Sequence, residues 1–474
     1  MTLARSVALI IFSCLTATAI LRLPRSQPMS RETSVVMSKQ ASVSGRYPEE
    51  ENTLLHMLAA QDTPSMRAHA WAILSSLTQG GLHSTPDWET TDWQGKCAVG
   101  LGNTNCQPNK LAKGTPILSI METPVELKSI VTSDQAKAFQ VSSVLYNHAA
   151  VQFIKSQHLA EGGHWKRLLH EHRAASGEAA PRFNRGALVV KEIFEAVSTC
   201  DSMVPNCRSK LYVWNPQKVT SQAIAPDIQF PQVVNWTQSV LDVNLDPTSP
   251  CAKSRVYPIV SANDHAALPD QIPLSCFHYI PVSPGATSPL KVGAGIVANS
   301  PGWVPKSNAY LVLVGFQIAS AEAPDWVWST FWWTNDPRSD IRAQDQPASI
   351  AASGPWSFFS MDTTMSADLP LEATDHGPKI IYNPYLEGSV NNGPVSNCLY
   401  CHQRAVIRKG EQHVESDIAS GSPRRCALVS PQTLGCAGLP SYGDSYRDAI
   451  RTNFLWSIAI HQDLVARRDF ENIK

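Results

Sequence analysis

Residues 310–333 read YLVLVGFQIASAEAPDWVWSTFWW. Two runs rich in Val, Ile, Leu, Phe and Trp, Tyr310–Ala319 and Trp326–Trp333, flank a break at Pro324 and Asp325. β-Branched and aromatic side chains suit a pleated, buried surface, so both runs are expected to be strands. Ala187–Val197, Lys210–Trp214, Val256–Val260 and Cys276–Val282 have the same texture, bounded by Pro, Gly, Asn and Asp. Together they define a β-rich domain over residues 181–345.

Helical patterning precedes this region. Asn52–Gln61 and Ser65–Leu77 have helical period, with Met66, Ala70, Ile73 and Leu77 on one stripe. A loop-rich stretch with Trp88 and Trp93 follows, then a helical reading over Ser133–Ala175, broken at Gly162-Gly163. Residues 51–180 are therefore expected to be a helical region. From residue 346 to 474 the chain is loop-rich, with Pro355, Pro370, Pro378 and Pro384. A short helix is expected from Asn397, and a closing helix from Asp444 to Ala466. Tyr446, Ile450, Phe454 and Ile458 would form the buried face of that last helix. The fold class expected is α+β.

Composition narrows the function. Hydrophobic residues are 43% and charged residues 17%, which is core-forming material and not disorder. With 39 basic and 40 acidic residues the net charge is −1, which argues against a nucleic-acid partner. Residues 1–29 read as a signal peptide, with Arg5, an apolar Val7–Leu21 and a small-x-small site at Ala17-Thr18-Ala19. The competing reading is an uncleaved anchor helix. No second segment of the sequence is long and apolar enough to span a bilayer. Residues 30–50 are polar and read as a linker. The chain is thus expected to be periplasmic or otherwise extracytoplasmic.

The 11 cysteines agree with export. Cys14 lies in the leader, and Cys398 and Cys401 belong to one motif. The other eight fall as neighbours along the chain: Cys97 and Cys106, Cys200 and Cys207, Cys251 and Cys276, Cys426 and Cys436. An even set in an exported chain reads as disulfides. Neighbour pairing is one of about 105 connectivities that eight cysteines allow.

Cys398-Leu399-Tyr400-Cys401-His402 is C-x-x-C-H, the attachment signature of c-type haem. On a helical turn, residues three and four apart share a face. Cys398 and Cys401 can then form thioethers to the vinyl groups, with His402 aimed at the iron. One covalent haem c is the cofactor expected, with His402 as metal ligand. The competing reading is zinc on Cys398, Cys401, Cys426 and Cys436. No Met follows His402. The distal candidates are Met361, Met365, a histidine such as His278, His376 or His413, or no protein ligand.

Several segments around and beyond this motif resemble a group of largely uncharacterised bacterial exported proteins with a single haem motif near the C-terminus. They are Asn383-Pro384-Tyr385-Leu386-Glu387, Val395-Ser396-Asn397-Cys398, Cys401-His402-Gln403-Arg404-Ala405, Asp325–Trp333, Ala70-Trp71-Ala72-Ile73 and Phe454–Ile458. The resemblance spans residues 50 to 460. It implies that 346–474 is a mostly helical, loop-rich cytochrome-c-like region serving electron transfer, and it names no substrate. Gly388, Asn391, Asn392, Gly393 and Pro394 precede the motif and break helices, unlike the N-terminal helix of small soluble cytochromes c.

Weaker signals are weighed beside it. His164, His170 and His172 read as solvated or packed residues before they read as a metal site. Trp326, Trp328, Trp332 and Trp333 read as an aromatic core or as a pocket wall. Gly293-Ala294-Gly295 reads as a turn, and Asn235-Trp236-Thr237 carries no weight in a bacterium. Three functions remain open. One is single-electron transfer to an unidentified redox partner. Another is a haem-dependent oxidoreductase or ligand-binding enzyme with an open iron site, taking a small-molecule substrate. The third is a binding module with a structural haem or zinc.

Overall fold

The computed structural model describes residues 46–78, 86–89, 92–96, 98–101, 119–120, 140–165, 181–198, 210–215, 239–261, 270–282, 309–340, 342–367, 369–371, 379–387, 397–402, 405–408, 449–455 and 457–458. All of them belong to one unit, residues 43–474. The leader reading, Cys14, and six of the eight candidate disulfide cysteines lie outside the described residues. So do His170, His172, His376, His413, Gly293 and Asn235.

The fold is α+β with a β-rich middle. Two helices open it, α1 (Glu51–Ala59) and α2 (Thr63–Thr78). Asp62 stops the first turn of α2 from fraying: its carboxylate accepts from the Ser65 amide at 3.2 Å and the Ser65 hydroxyl at 2.7 Å. The expected stripe of Met66, Ala70, Ile73 and Leu77 is buried, joined by Trp71 and Leu74. Residues at the end of the expected linker are also held, since His69 Nδ1 donates to the Arg46 carbonyl at 2.9 Å.

A large antiparallel sheet follows. Its strands are β1 (Gln94–Gly95), β2 (Ser119–Ile120), β3 (Gln140–Tyr146), β4 (Leu188–Ser198), β9 (Tyr279–Val282), β10 (Ala309–Ser320), β11 (Val327–Trp333) and β12 (Phe359–Thr364). They run in the order β1-β3-β4-β10-β11-β12, with β2 also on β3 and β9 also on β10. A second, four-stranded sheet holds β5 (Lys210–Tyr212), β6 (Ser239–Asn244), β7 (Val260–Ser261) and β8 (Ile272–Pro273). Cys251 and Cys276 form a disulfide, as neighbour pairing expects, with Cα atoms 5.0 Å apart.

Two expectations change. The helical reading of Ser133–Ala175 contains β3, and α3 (His148–Ser156) begins only after it. The segment QVSSVLY pairs with β4 along its whole length, and its Val and Tyr residues suit that pleat better than a helix. Asn147 then makes the break, accepting from the Ala150 amide at 3.0 Å as the α3 N-cap. The loop-rich reading after residue 345 contains β12, whose polar residues hid its strand character. Asp362 in that strand receives Lys379 at 2.6 Å and Arg67 at 3.2 Å.

Side chains alternate across a sheet, so its two faces carry different cores. Phe331 sits opposite Phe316 and Met361 on neighbouring strands. This face packs with Trp71, Trp88 and Trp356 in one apolar cluster. Trp328 sits opposite Ala319 and Thr364. That face packs with Tyr146, Phe153, Phe183, Trp326, Leu399, Phe454 and Leu455 in a second cluster. The C-terminal elements α4 (Pro384–Glu387), α5 (Cys398–His402), β13 (Val406–Arg408) and β14 (Ala449–Arg451) follow, with β13 and β14 paired antiparallel. Among the described residues, no helix is long and apolar enough to cross a membrane.

Candidate functional site

The site grows from α5. Asn397 caps this short helix, its Oδ1 accepting from the Leu399 amide at 3.1 Å. The same side chain donates to the carbonyls of Ser366 and Ala367 at 3.0 and 3.2 Å, which ties the helix start to the chain leaving β12. Cys398, Cys401 and His402 all lie in the helix. Cys398 and His402, four residues apart, share one face of it. Cys398 and Leu399 are buried in the second apolar cluster.

His402 is half-buried and rests on Trp328, ring centroids 4.0 Å apart and planes at 38°. Its Nδ1 lies 2.8 Å from the Phe454 carbonyl oxygen. A carbonyl only accepts, so Nδ1 carries the proton and donates. The lone pair of the neutral ring then sits on Nε2, the nitrogen a metal would take. Loss of water around the ring pulls its pKa down to about 4; the Phe454 carbonyl opposes that shift and Lys191 adds to it.

The partner carbonyl is held in an unusual turn. Asn453 and Phe454 both have positive φ, 52° and 68°, and Trp326 has φ 65°. These are left-handed values that side chains other than glycine rarely adopt. Trp326 Nε1 donates to Asn453 Oδ1 at 3.0 Å, and Asn453 Nδ2 donates to the Pro181 carbonyl at 3.0 Å. Thr452 anchors the turn from the other side, through its amide and hydroxyl to the Ala405 carbonyl, both at 2.8 Å. The closing helix expected over Asp444–Ala466 is interrupted within the described residues. Residues 449–451 form β14 and the chain turns left-handed at 453–454, although Ile450, Phe454 and Ile458 are all buried as the pattern required.

One step along the sheet from Trp328 lies a polar row. Lys191 of β4 sits opposite Gln317 of β10, and Gln317 opposite Thr330 of β11. Gln317 donates to Glu387 at 3.3 Å, and burial pushes the Glu387 carboxyl up to about 7, against the Asn383 amide, Lys191 and Gln317.

The donor set fits covalent haem. A neutral imidazole with Nδ1 engaged, a buried cysteine four residues before it and an aromatic shelf beneath it suit an axial ligand beside a thioether. Of the other predicted residues, the structure brings none of the described distal candidates to His402. Met361 faces the opposite side of the sheet, and both Met361 and Met365 are buried in the first cluster. His278 pairs with Glu89 at 2.7 Å and stacks on Trp356, also on that side. Among the described residues, no group of three or more His, Cys, Asp or Glu side chains is placed to hold a metal ion. All four tryptophans are buried: Trp333 stacks on Phe277 at 4.7 Å in the core, while Trp328 lies against His402. The site roles of Phe454, Asn453 and Lys191 escaped the sequence reading. A backbone carbonyl leaves no side-chain signal, but Asn453 tolerates left-handed backbone and is the residue that could have been found.

No family model, curated protein or solved structure matches the chain.

Proposed function

We propose that this chain is an exported c-type haem protein that transfers single electrons. Cys398 and Cys401 would hold the haem by thioethers, and His402 Nε2 would be its axial ligand. When bound, the haem supplies a one-electron Fe(III)/Fe(II) couple. The observation that carries the reading is the His402 Nδ1 to Phe454 carbonyl bond at 2.8 Å, within a C-x-x-C-H helix. It selects the tautomer and fixes the ring plane that ligation needs. Trp328 shields one ring face from water. Residues 346–474 would be a cytochrome-c-like region whose wall is the large sheet. The Cys251–Cys276 disulfide supports an extracytoplasmic location, where such bonds persist. Tryptic mass mapping tests this: a peptide containing residues 398–402 should carry the haem mass on both cysteines, and an unmodified peptide would reject it.

A second reading gains from one observation. Met361 and Met365 are built into the core on the far side of the sheet. An open iron site, taking a small-molecule ligand or substrate, therefore competes with the carrier. Fast CO binding by the reduced protein at neutral pH would favour it.

A further inference from the structure

We propose that Asn453 is the positioning residue for His402. It would clamp the left-handed turn that aims the Phe454 carbonyl at His402 Nδ1. This rests on the reading that His402 Nε2 is a metal ligand. Three of the five non-glycine residues with positive φ among those described meet in this site: Trp326, Asn453 and Phe454. Such backbone is unfavourable for Trp and Phe above all, and it persists only where the surroundings over-determine it. Here the surroundings are identifiable. The Asn453 amide spends both ends, accepting from the Trp326 indole at 3.0 Å and donating to the Pro181 carbonyl at 3.0 Å. Trp326 is wholly buried, against Phe183 at 5.2 Å and Trp328 at 6.3 Å. The clamp therefore joins three segments, near residues 181, 326 and 453, and its output is the orientation of one carbonyl.

The consequence is electronic as well as geometric. An Nδ1–H held by a strong acceptor raises imidazole basicity at Nε2, which favours ferric over ferrous iron. Loosening the clamp should raise the reduction potential.

The test uses the full-length holoprotein. Asn453→Gly keeps access to positive φ but removes both hydrogen bonds. Its potential should rise, and its reduced form should bind CO faster than wild type. Asn453→Asp keeps the acceptor for Trp326 and should restore most of the wild-type potential. Tyr146→Phe is the control. It removes the 2.6 Å bond to Ser457 in the same apolar cluster and should lower the melting temperature with the potential unchanged. If Asn453→Gly lowers only the melting temperature, the proposal is overturned. If that variant does not fold, Trp326→Phe, which removes the other half of the clamp, must raise the potential in its place; an unchanged potential there also overturns it. A wild-type chain without covalent haem would remove the ligand reading instead. In that case selective ¹⁵N-histidine spectra, assigned with His402→Gln, decide the positioning claim alone. A ring protonated at Nδ1 in wild type and mixed in Asn453→Gly supports it, and a ring protonated at Nε2 in wild type overturns it.

Discussion

The imidazole of His402 and the carbonyl of Phe454 meet at 2.8 Å across 52 residues of chain. The helix that carries the histidine has five residues, too short to hold its own geometry in water. The long-range bond and the Trp328 shelf therefore set the ring's orientation. Trp328 is 3% exposed and packs on His402 at 4.0 Å. Trp328→Ala should destabilise the chain by roughly 3–5 kcal/mol. Thermal melting of the variant checks the cost; a loss below that of an ordinary surface change would mean the shelf is not formed.

Glu192 lies on the other face of the sheet, fully buried, receiving the Trp88 indole at 2.8 Å and the Ser143 hydroxyl. Burial and the neighbouring Glu89 push its carboxyl up to about 8. A raised acid pKa contributes stability that is complete below the unfolded value and is lost as pH rises through the folded value. Wild type should therefore lose stability from about pH 5 to pH 8, on the order of a few kcal/mol. Glu192→Gln should flatten the melting temperature against pH, leaving the smaller slope due to Glu387. Parallel profiles for the two proteins would contradict this.

The Cys251–Cys276 disulfide closes a loop with a sequence separation of 25. Replacing both cysteines by Ala should cost roughly 2–4 kcal/mol, mainly by freeing the unfolded chain. Reductant should lower the melting temperature of wild type toward that of the double variant. Six further cysteines lie outside the described residues, so the double variant should keep its own response to reductant if they are also paired.

Gly315 sits at the irregularity between β10 and β4. A Cβ there would stand 3.0 Å from both Asn383 Oδ1 and Nδ2. That amide donates to Thr330 Oγ1 at 3.1 Å and to the Phe331 carbonyl at 2.8 Å, and accepts from the Tyr385 amide at 3.0 Å. Gly315→Ala should cost roughly 1–3 kcal/mol through overpacking. Gly315→Ala combined with Asn383→Ala should cost less than the sum of the single changes, as contacting residues do.

Strands β10 and β11 were legible because their residues are apolar on both faces, which only a doubly covered sheet accepts. The α2 stripe was legible for the same reason on a helical period. β12 was not, because Ser360, Asp362 and Thr363 are buried by partners distant in sequence. The spacing of four from Ile450 to Ile458 predicted burial correctly and conformation wrongly. A strand, a left-handed turn and a short helical segment bury the same residues as a continuous helix. At the site, Cys398, Cys401 and His402 were legible as candidates from side-chain chemistry. The carbonyl that fixes the tautomer was not, since any residue could supply it.

The covalent haem proposed on α5 is open to a direct test. The direct measurement is the visible spectrum of the purified full-length protein, oxidised and reduced, followed by acid–acetone extraction. A reduced c-type spectrum whose colour stays with the precipitated protein, and which Cys398→Ser with Cys401→Ser abolishes, is the predicted result. Haem that extracts into the solvent, or a colourless protein that holds zinc, would contradict the account.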